Sequence, residues 1–439
     1  MTKIAMLFPG QGSQIIGMGK ELYQEYDIAK KTFDEANDIL DFNLKRLCFE
    51  GDLIELTKTE NAQPALLTTS VAMFRVFINE IDIEPSLLAG HSLGEYSALT
   101  CSNVLSFSDT LKIVRKRGLL MQQANQLSKG KMVAVNGMAF ERLEEEIKIA
   151  STEEAPIVIA CHNSHSQNVI SGQIDAVDRF SKRLEHLGAI VIPLKVSAAF
   201  HSPMMKYAAE DLNLELKKYS YRKPDWEVIS NVNGLPYGDS DNVIEYLTKQ
   251  MTYPVLWDES MNYIKKQGVD LAIELGPKTV LKNLLDTSKD RLPVFQFQNK
   301  NEIQKLKHSI DNMAKLQNKT ITINKLWIIS QCIASAVSTK NLNWDLNSYN
   351  QDVSMPLKKL KNMYESFQEN KKEPLNEDIM VALDTLRTIL DTKRVSTTEQ
   401  ECIFSNILNK IQSLDLPSYI KNYNAKNNKC NESEVYTSV

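Results

Sequence analysis

The chain is poor in the residues and patterns that announce most function classes. Its six cysteines, Cys48, Cys101, Cys161, Cys332, Cys402 and Cys430, are spread over 439 residues. They form no CxxC pair and no Cys/His cluster at metal-ligand spacing. That excludes a disulfide framework and a structural zinc site, and reads as reduced thiols. No apolar run approaches the roughly 20 residues that cross a bilayer. The short run after Lys3 lacks the length and the small-residue cleavage site of a secretory signal. Together these absences place the protein in the cytoplasm, away from membranes. Charge of one sign is also lacking: 51 Lys and Arg against 55 Asp and Glu give a net charge of −4, with no basic footprint for nucleic acid. The turn Pro9-Gly10-Gln11-Gly12-Ser13-Gln14 has neither the lysine of a P-loop nor GxGxxG spacing. No repeat is visible, and no metal, redox or nucleotide cofactor is expected.

What is present is a soluble globular composition, 43% hydrophobic and 24% charged, long enough for two or three domains. The chain is organised around Leu87-Leu88-Ala89-Gly90-His91-Ser92-Leu93-Gly94-Glu95. A short apolar strand ends in Gly90 and a helix opens at Gly94, so Gly-x-Ser-x-Gly lies on a strand-to-helix turn. Its glycines let the backbone bend and hold the Ser92 hydroxyl at the tip. The amide of Leu93 then sits at a helix start, where free N–H groups favour developing negative charge. The same pattern also suits an ordinary βα turn.

Ahead of this turn, Ile4–Phe8 reads as a buried parallel strand, and the polar turn after it can supply further N–H groups to a reacting oxygen. Residues 17–39 read as one helix, and Asn61-Ala62-Gln63-Pro64 as the start of a helix over 65–81. Residues 108–126 form another helix carrying Lys112, Arg115, Lys116 and Arg117, most of them on a solvated face. From residue 129 the rhythm changes to strand, helix, strand, strand, helix, strand up to 196, the order of a ferredoxin-like unit. Strand and helix signals of the first kind resume at 197, so that unit is read as an insert. This gives an α/β chain with a parallel-sheet domain over 1–128 and 197–295, a ferredoxin-like subdomain over 129–196, and a helical extension over 300–439. The stretch 422–439 is polar and reads as frayed.

A serine hydroxyl is protonated at neutral pH and needs a base within hydrogen-bond reach. The candidates are His91, His162, His165, His186, His201 and His308. His186 lies in a charged helix and His162 and His165 in a loop of the insert. His201, in the small-residue loop Ser197-Ala198-Ala199-Phe200-His201-Ser202-Pro203, is placed as a base should be. A structural role beside Phe200 is the other option.

Gly10-Gln11-Gly12-Ser13-Gln14, Gly90-His91-Ser92-Leu93-Gly94-Glu95, the Arg117 segment, Ala199-Phe200-His201-Ser202 and Gln250 occur in an order that resembles the malonyl-CoA:acyl carrier protein transacylase family, over about residues 1–290. The resemblance implies an α/β-hydrolase-like fold with a ferredoxin-like insert. It implies Ser92 as the nucleophile that becomes malonylated, His201 as general base, and the amides of Gln11 and Leu93 as oxyanion hole. It implies that Gln250 orients the histidine through a carbonyl, and that His91 and, less directly, Asn163 stand near the substrate. Arg117 would pair with the free malonyl carboxylate, and Phe200 would occupy the space that an α-methyl substituent needs. The partners implied are malonyl-CoA and an acyl carrier protein. The extension past 300 exceeds the family pattern and fits a discrete transacylase of a polyketide assembly line better than a fatty-acid enzyme. Two rivals are an acyl hydrolase on the same fold, whose known forms lack this arginine, and a non-catalytic docking scaffold.

Overall fold

The computed structural model describes residues 2–423 apart from 82, 128, 195, 197, 239–241, 286–291, 320–324, 344, 371, 412, 413 and 415. Ser197, Cys430 and most of the polar tail therefore lie outside the described residues. The chain divides into two compact units, Met1–Asn312 and Met313–Val439.

In the first unit the strands are β1 (Ile4–Phe8), β2 (Leu87–Gly90), β3 (Gly130–Asn136), β4 (Ile157–Ser164), β5 (Gln167–Gln173), β6 (Ile190–Pro193), β7 (Glu227–Ile229), β8 (Val255–Leu256), β9 (Leu271–Glu274) and β10 (Val294–Gln296). One sheet has the order β10-β9-β1-β2-β7, with every pair parallel. All five residues of β1 are buried, as the unbroken apolar run Ile-Ala-Met-Leu-Phe requires of a central parallel strand. Phe8 pairs with Gly90 and Leu7 with Glu274, so the carboxyl ends of β1, β2 and β9 share one edge. Ligands in open α/β sheets bind at that edge. The Gly10–Gln14 turn and Ser92 both emerge there.

The second sheet has the order β6-β3-β5-β4-β8. Its first four strands are antiparallel neighbours in the βαββαβ order expected of a ferredoxin-like unit. Val133, Val135, Leu143, Ile170, Phe180 and Leu184 form its own buried cluster. Neither β8 nor β10 is expected from the sequence. The two-residue β8, from the returning segment, pairs with β4 in parallel, Cys161 with Val255 and His162 with Leu256. Two residues are too few to leave a periodicity.

Two helices differ from expectation. The single helix read over 17–39 is two, Lys20–Glu25 and Asp27–Leu40, because Tyr26 is extended at φ −128°, ψ 119°. The helix expected to open at Ala65 begins at Thr59 and carries Pro64 inside. Proline has no N–H for the carbonyl four residues back. That carbonyl, Glu60 O, accepts instead from Arg115 Nη1 at 2.6 Å, while Asn61 Oδ1 accepts from the same nitrogen at 2.7 Å. Arg115, read as part of a solvated face, is thus half-buried and repairs the helix.

The second unit, read from the sequence as a helical extension, contains the helices Lys325–Ser338, Met355–Glu369, Asn376–Thr392 and Thr397–Lys410. Ile329, Leu383, Leu386, Phe404 and Ile407 belong to one buried cluster drawn from this unit alone. Lys393 donates to Ala336 O at 2.7 Å and Thr339 O at 2.8 Å, satisfying carbonyls at the end of Lys325–Ser338.

Candidate active site

Ser92 is held at φ 52°, ψ −104°, a left-handed conformation that a non-glycine residue adopts only when its surroundings enforce it. The enforcement is visible. A Cβ on Gly90 would lie 1.9 Å from the carbonyl carbon of Gly94, and one on Gly94 would lie 1.9 Å from Phe8 O, so β1, β2 and the following helix meet through bare backbone. The Ser92 N–H donates to Asn231 Oδ1 at 2.7 Å, and Asn231 Nδ2 donates to Gly90 O at 2.7 Å. Leu93 is the first residue of the helix Leu93–Cys101, so its N–H is among the donors that no helical carbonyl reaches.

Ser92 Oγ lies 2.9 Å from His201 Nε2, and His201 Nδ1 lies 2.7 Å from the backbone carbonyl of Gln250. A carbonyl only accepts, so Nδ1 carries the proton and Nε2 presents its lone pair to the serine hydroxyl. Burial, reinforced by the nearby Arg117 charge, pushes the His201 pKa down to about 3 against the pull of the Gln250 carbonyl. The imidazole is therefore neutral and able to take a proton throughout the physiological range.

Arg117 is 1% exposed. It donates to Gln63 Oε1 at 2.9 Å, Gln250 Oε1 at 3.0 Å and Ser92 Oγ at 3.2 Å, and its guanidinium carbon lies 5.3 Å from the centre of the Tyr96 ring. All three acceptors are neutral, and Nε has no hydrogen-bond partner. Burial lowers its pKa, opposed by the nearby Tyr96 and Glu95. A buried cation whose nearest acceptors are all neutral is suited to an anion arriving from the cavity.

That cavity, of about 240 Å³, is lined by Gln11, His91, Ser92, Leu93, Arg117, Asn163, Phe200 and His201, together with apolar side chains such as Met121, Met132, Val280 and Leu281. The structure thus brings together residues from seven separate stretches of sequence. Gln250, the remaining sequence candidate, stands behind His201 and Arg117. His91 Nε2 lies 2.8 Å from Asn163 Oδ1, and its ring centre 5.6 Å from that of Trp257. Burial holds His91 below the usual imidazole range. Among the other histidines, His162 faces Glu259 at 2.9 Å and His186 is exposed. Gln63, Glu95, Asn231 and Tyr237 were not read as site residues. Glu95 follows the Gly-x-Ser-x-Gly motif directly, but the other three lie in segments with no local signal.

The acyl transferase domain model matches residues 5–321. A malonyl CoA-acyl carrier protein transacylase of Bacillus subtilis is 39% identical over 400 residues, covering 91% of this chain and 99% of the relative. The chain belongs to the malonyl-CoA:acyl carrier protein transacylase family. A relative of the same description from Bacillus subtilis strain 168 is 44% identical over 317 residues, which span 71% of this chain and the whole of that protein. Among solved structures, a malonyl-transacylase in complex with a type II polyketide synthase acyl-carrier protein superposes with a TM-score of 0.67 at 35% identity, over 69% of this chain and 98% of that one. The family member with the 400-residue match extends well into residues 313–439, whereas the strain 168 relative is accounted for by 317 residues.

Proposed function

We propose that this chain moves a malonyl group from malonyl-CoA to the phosphopantetheine thiol of an acyl carrier protein through an ester on Ser92. Ser92 Oγ attacks the thioester carbon as His201 Nε2 accepts its proton. The N–H groups of Gln11 and Leu93 receive the charge that develops on the carbonyl oxygen; losing one such donor costs about 3 kcal/mol. The thiolate of CoA leaves and takes the proton from His201. The carrier thiol then repeats the sequence in reverse order, with His201 again the base.

The observation that carries this reading is the buried Arg117 beside Ser92, with neutral acceptors only. A malonyl carboxylate would give it an ionic partner, and a guanidinium binds a carboxylate bidentately. An acetyl group would leave the cation unpaired, at about 3–5 kcal/mol by analogy with broken buried pairs. Phe200, 8% exposed at the cavity wall, bears on α-substituents, where one methyl is worth only about 1–3 kcal/mol. The free thiols Cys48, Cys101, Cys161, Cys332 and Cys402 support a cytoplasmic setting. Among the described residues no helix is long and apolar enough to cross a membrane. We also propose the division into a hydrolase-like part over 1–128 and 197–295, an insert over 129–196 and an extension from 300. The extension supports service to a polyketide assembly line.

Intact-mass measurement after brief exposure to malonyl-CoA tests the proposal. A malonyl adduct on the parent, absent from Ser92→Ala and discharged by holo carrier protein, is the expected result. Release of free malonate with no carrier loading would make the protein a hydrolase instead.

A further inference from the structure

Glu95 lies in the first turn of the helix that Ser92 caps, and it is completely buried. Its carboxylate accepts from the Tyr237 hydroxyl, from the backbone N–H of Asn231 at 3.2 Å, and from Gln250 Nε2 at 2.5 Å. The Ser230 hydroxyl adds a further contact. No Lys, Arg or His among the described residues donates to it. The charged and titratable groups around it are Tyr237 beyond β7, Tyr96 on its own helix, and Arg117 on the helix Phe107–Leu127. A buried carboxylate without a directly bonded cation is costly to keep unless it does something the fold needs.

What it does is decide which way the Gln250 amide points. An ionised carboxylate only accepts, so Gln250 must turn Nε2 toward Glu95, from where it also reaches Ser92 O at 3.0 Å. Oε1 is then forced toward Arg117 Nη2, at 3.0 Å. The same residue supplies the backbone carbonyl that fixes the His201 tautomer. We propose that Glu95 is a positioning residue for acyl-group selection: through Gln250 it orients the Arg117 guanidinium toward the far carboxylate of the acyl group, beside Ser92.

This rests on the roles given above to Ser92 and Arg117. When Glu95 is protonated its hydroxyl has to donate. Oε1 already receives the Tyr237 hydroxyl and the Asn231 N–H, so the proton falls on Oε2, which faces Gln250. The Gln250 amide turns over to accept it, presenting Nε2 to Arg117, donor against donor. Desolvation raises the Glu95 pKa to about 7, against the hydrogen bonds from Tyr237 and Gln250. Ionisation therefore falls in the working range, and orientation of Arg117 is lost as pH drops through it. His201, pushed down to about 3, does not titrate there.

The test measures kcat/KM for loading of Ser92 from malonyl-CoA and from acetyl-CoA between pH 5.5 and 9, on the full chain. In the parent, malonyl loading rises with pH through about 7. Glu95→Gln, a mimic of the protonated form, is expected to lose that rise and to lower the malonyl-to-acetyl ratio about 10-fold at pH 8, while unfolding at the parent's temperature or above. Tyr237→Phe removes a hydrogen bond that favours the ionised form, so it should move the limb to higher pH. It keeps the proposal testable if Glu95→Gln fails to fold. The proposal is overturned if Glu95→Gln keeps the parent's ratio and profile. It also fails if both acyl donors lose rate equally with the profile unchanged, or if the limb stays in place in Tyr237→Phe. Failure of the transacylase proposal itself would show separately, as no adduct on the parent.

Discussion

Ser92 combines a strained backbone with two demands on one oxygen. Its Oγ faces the lone pair of His201 Nε2 and also receives Arg117 Nη2, so the hydroxyl proton is directed to the imidazole and away from the guanidinium. Arg117→Ala should leave Ser92 and His201 in place and remove the carboxylate's partner. The expected result is a malonyl-over-acetyl preference reduced by about 100-fold or more, read from competing adduct formation. The depressed His201 pKa also has a cost at low pH. The unfolded imidazole binds its proton near 6.5 and the folded one only near 3, so stability falls as pH drops from 6.5 toward 3. Glu95, raised to about 7, gains stability over the upper part of that window in both proteins, so the His201 effect is read as a difference. The stability of the parent relative to His201→Gln should shrink by up to about 1.4 kcal/mol per pH unit as pH falls from 6.5 toward 3 in denaturant unfolding.

Among the elements, the turn between β2 and the helix Leu93–Cys101 is the least tolerant of change. A methyl on Gly94 would meet the Phe8 carbonyl oxygen, a backbone atom that cannot rotate away. Gly94→Ala should therefore push the helix off β1, lowering stability by about 3 kcal/mol or more and abolishing the Ser92 adduct although both reacting residues remain. Unfolding curves and intact mass check the two halves of that statement. The helix Thr59–Glu80 shows the opposite case, where a locally unfavourable residue is tolerated. Pro64 removes a helical hydrogen bond, and Arg115 from the neighbouring helix satisfies the carbonyl left open. Proline read from sequence marks a helix start because local rules contain no Arg115.

In the whole molecule, catalysis as proposed here uses residues of the first unit only, while the second has a hydrophobic cluster of its own. Phe404 is fully buried in that cluster. Phe404→Ala should cost about 3–5 kcal/mol within residues 313–423, seen as faster amide exchange there, with the rate of Ser92 malonylation unchanged.

Ser92, His201, Arg117 and their neighbours were legible because each sits in a short motif whose order along the chain resembles one family. Most strands and helices were legible because apolar periodicity is a local property, which the two-residue β8 is too short to carry. The sequence by itself singled out the groups proposed to react and determined that a parallel sheet would carry them. Only the tertiary structure decided the distances between them. The 2.9 Å from Ser92 to His201 spans 109 residues of chain, and the contacts of Glu95 with Asn231, Tyr237 and Gln250 span still more. Such hydrogen bonds leave no periodic trace, because what selects Asn231 or Tyr237 is the shape and polarity of a buried space that exists only after the chain has closed around it.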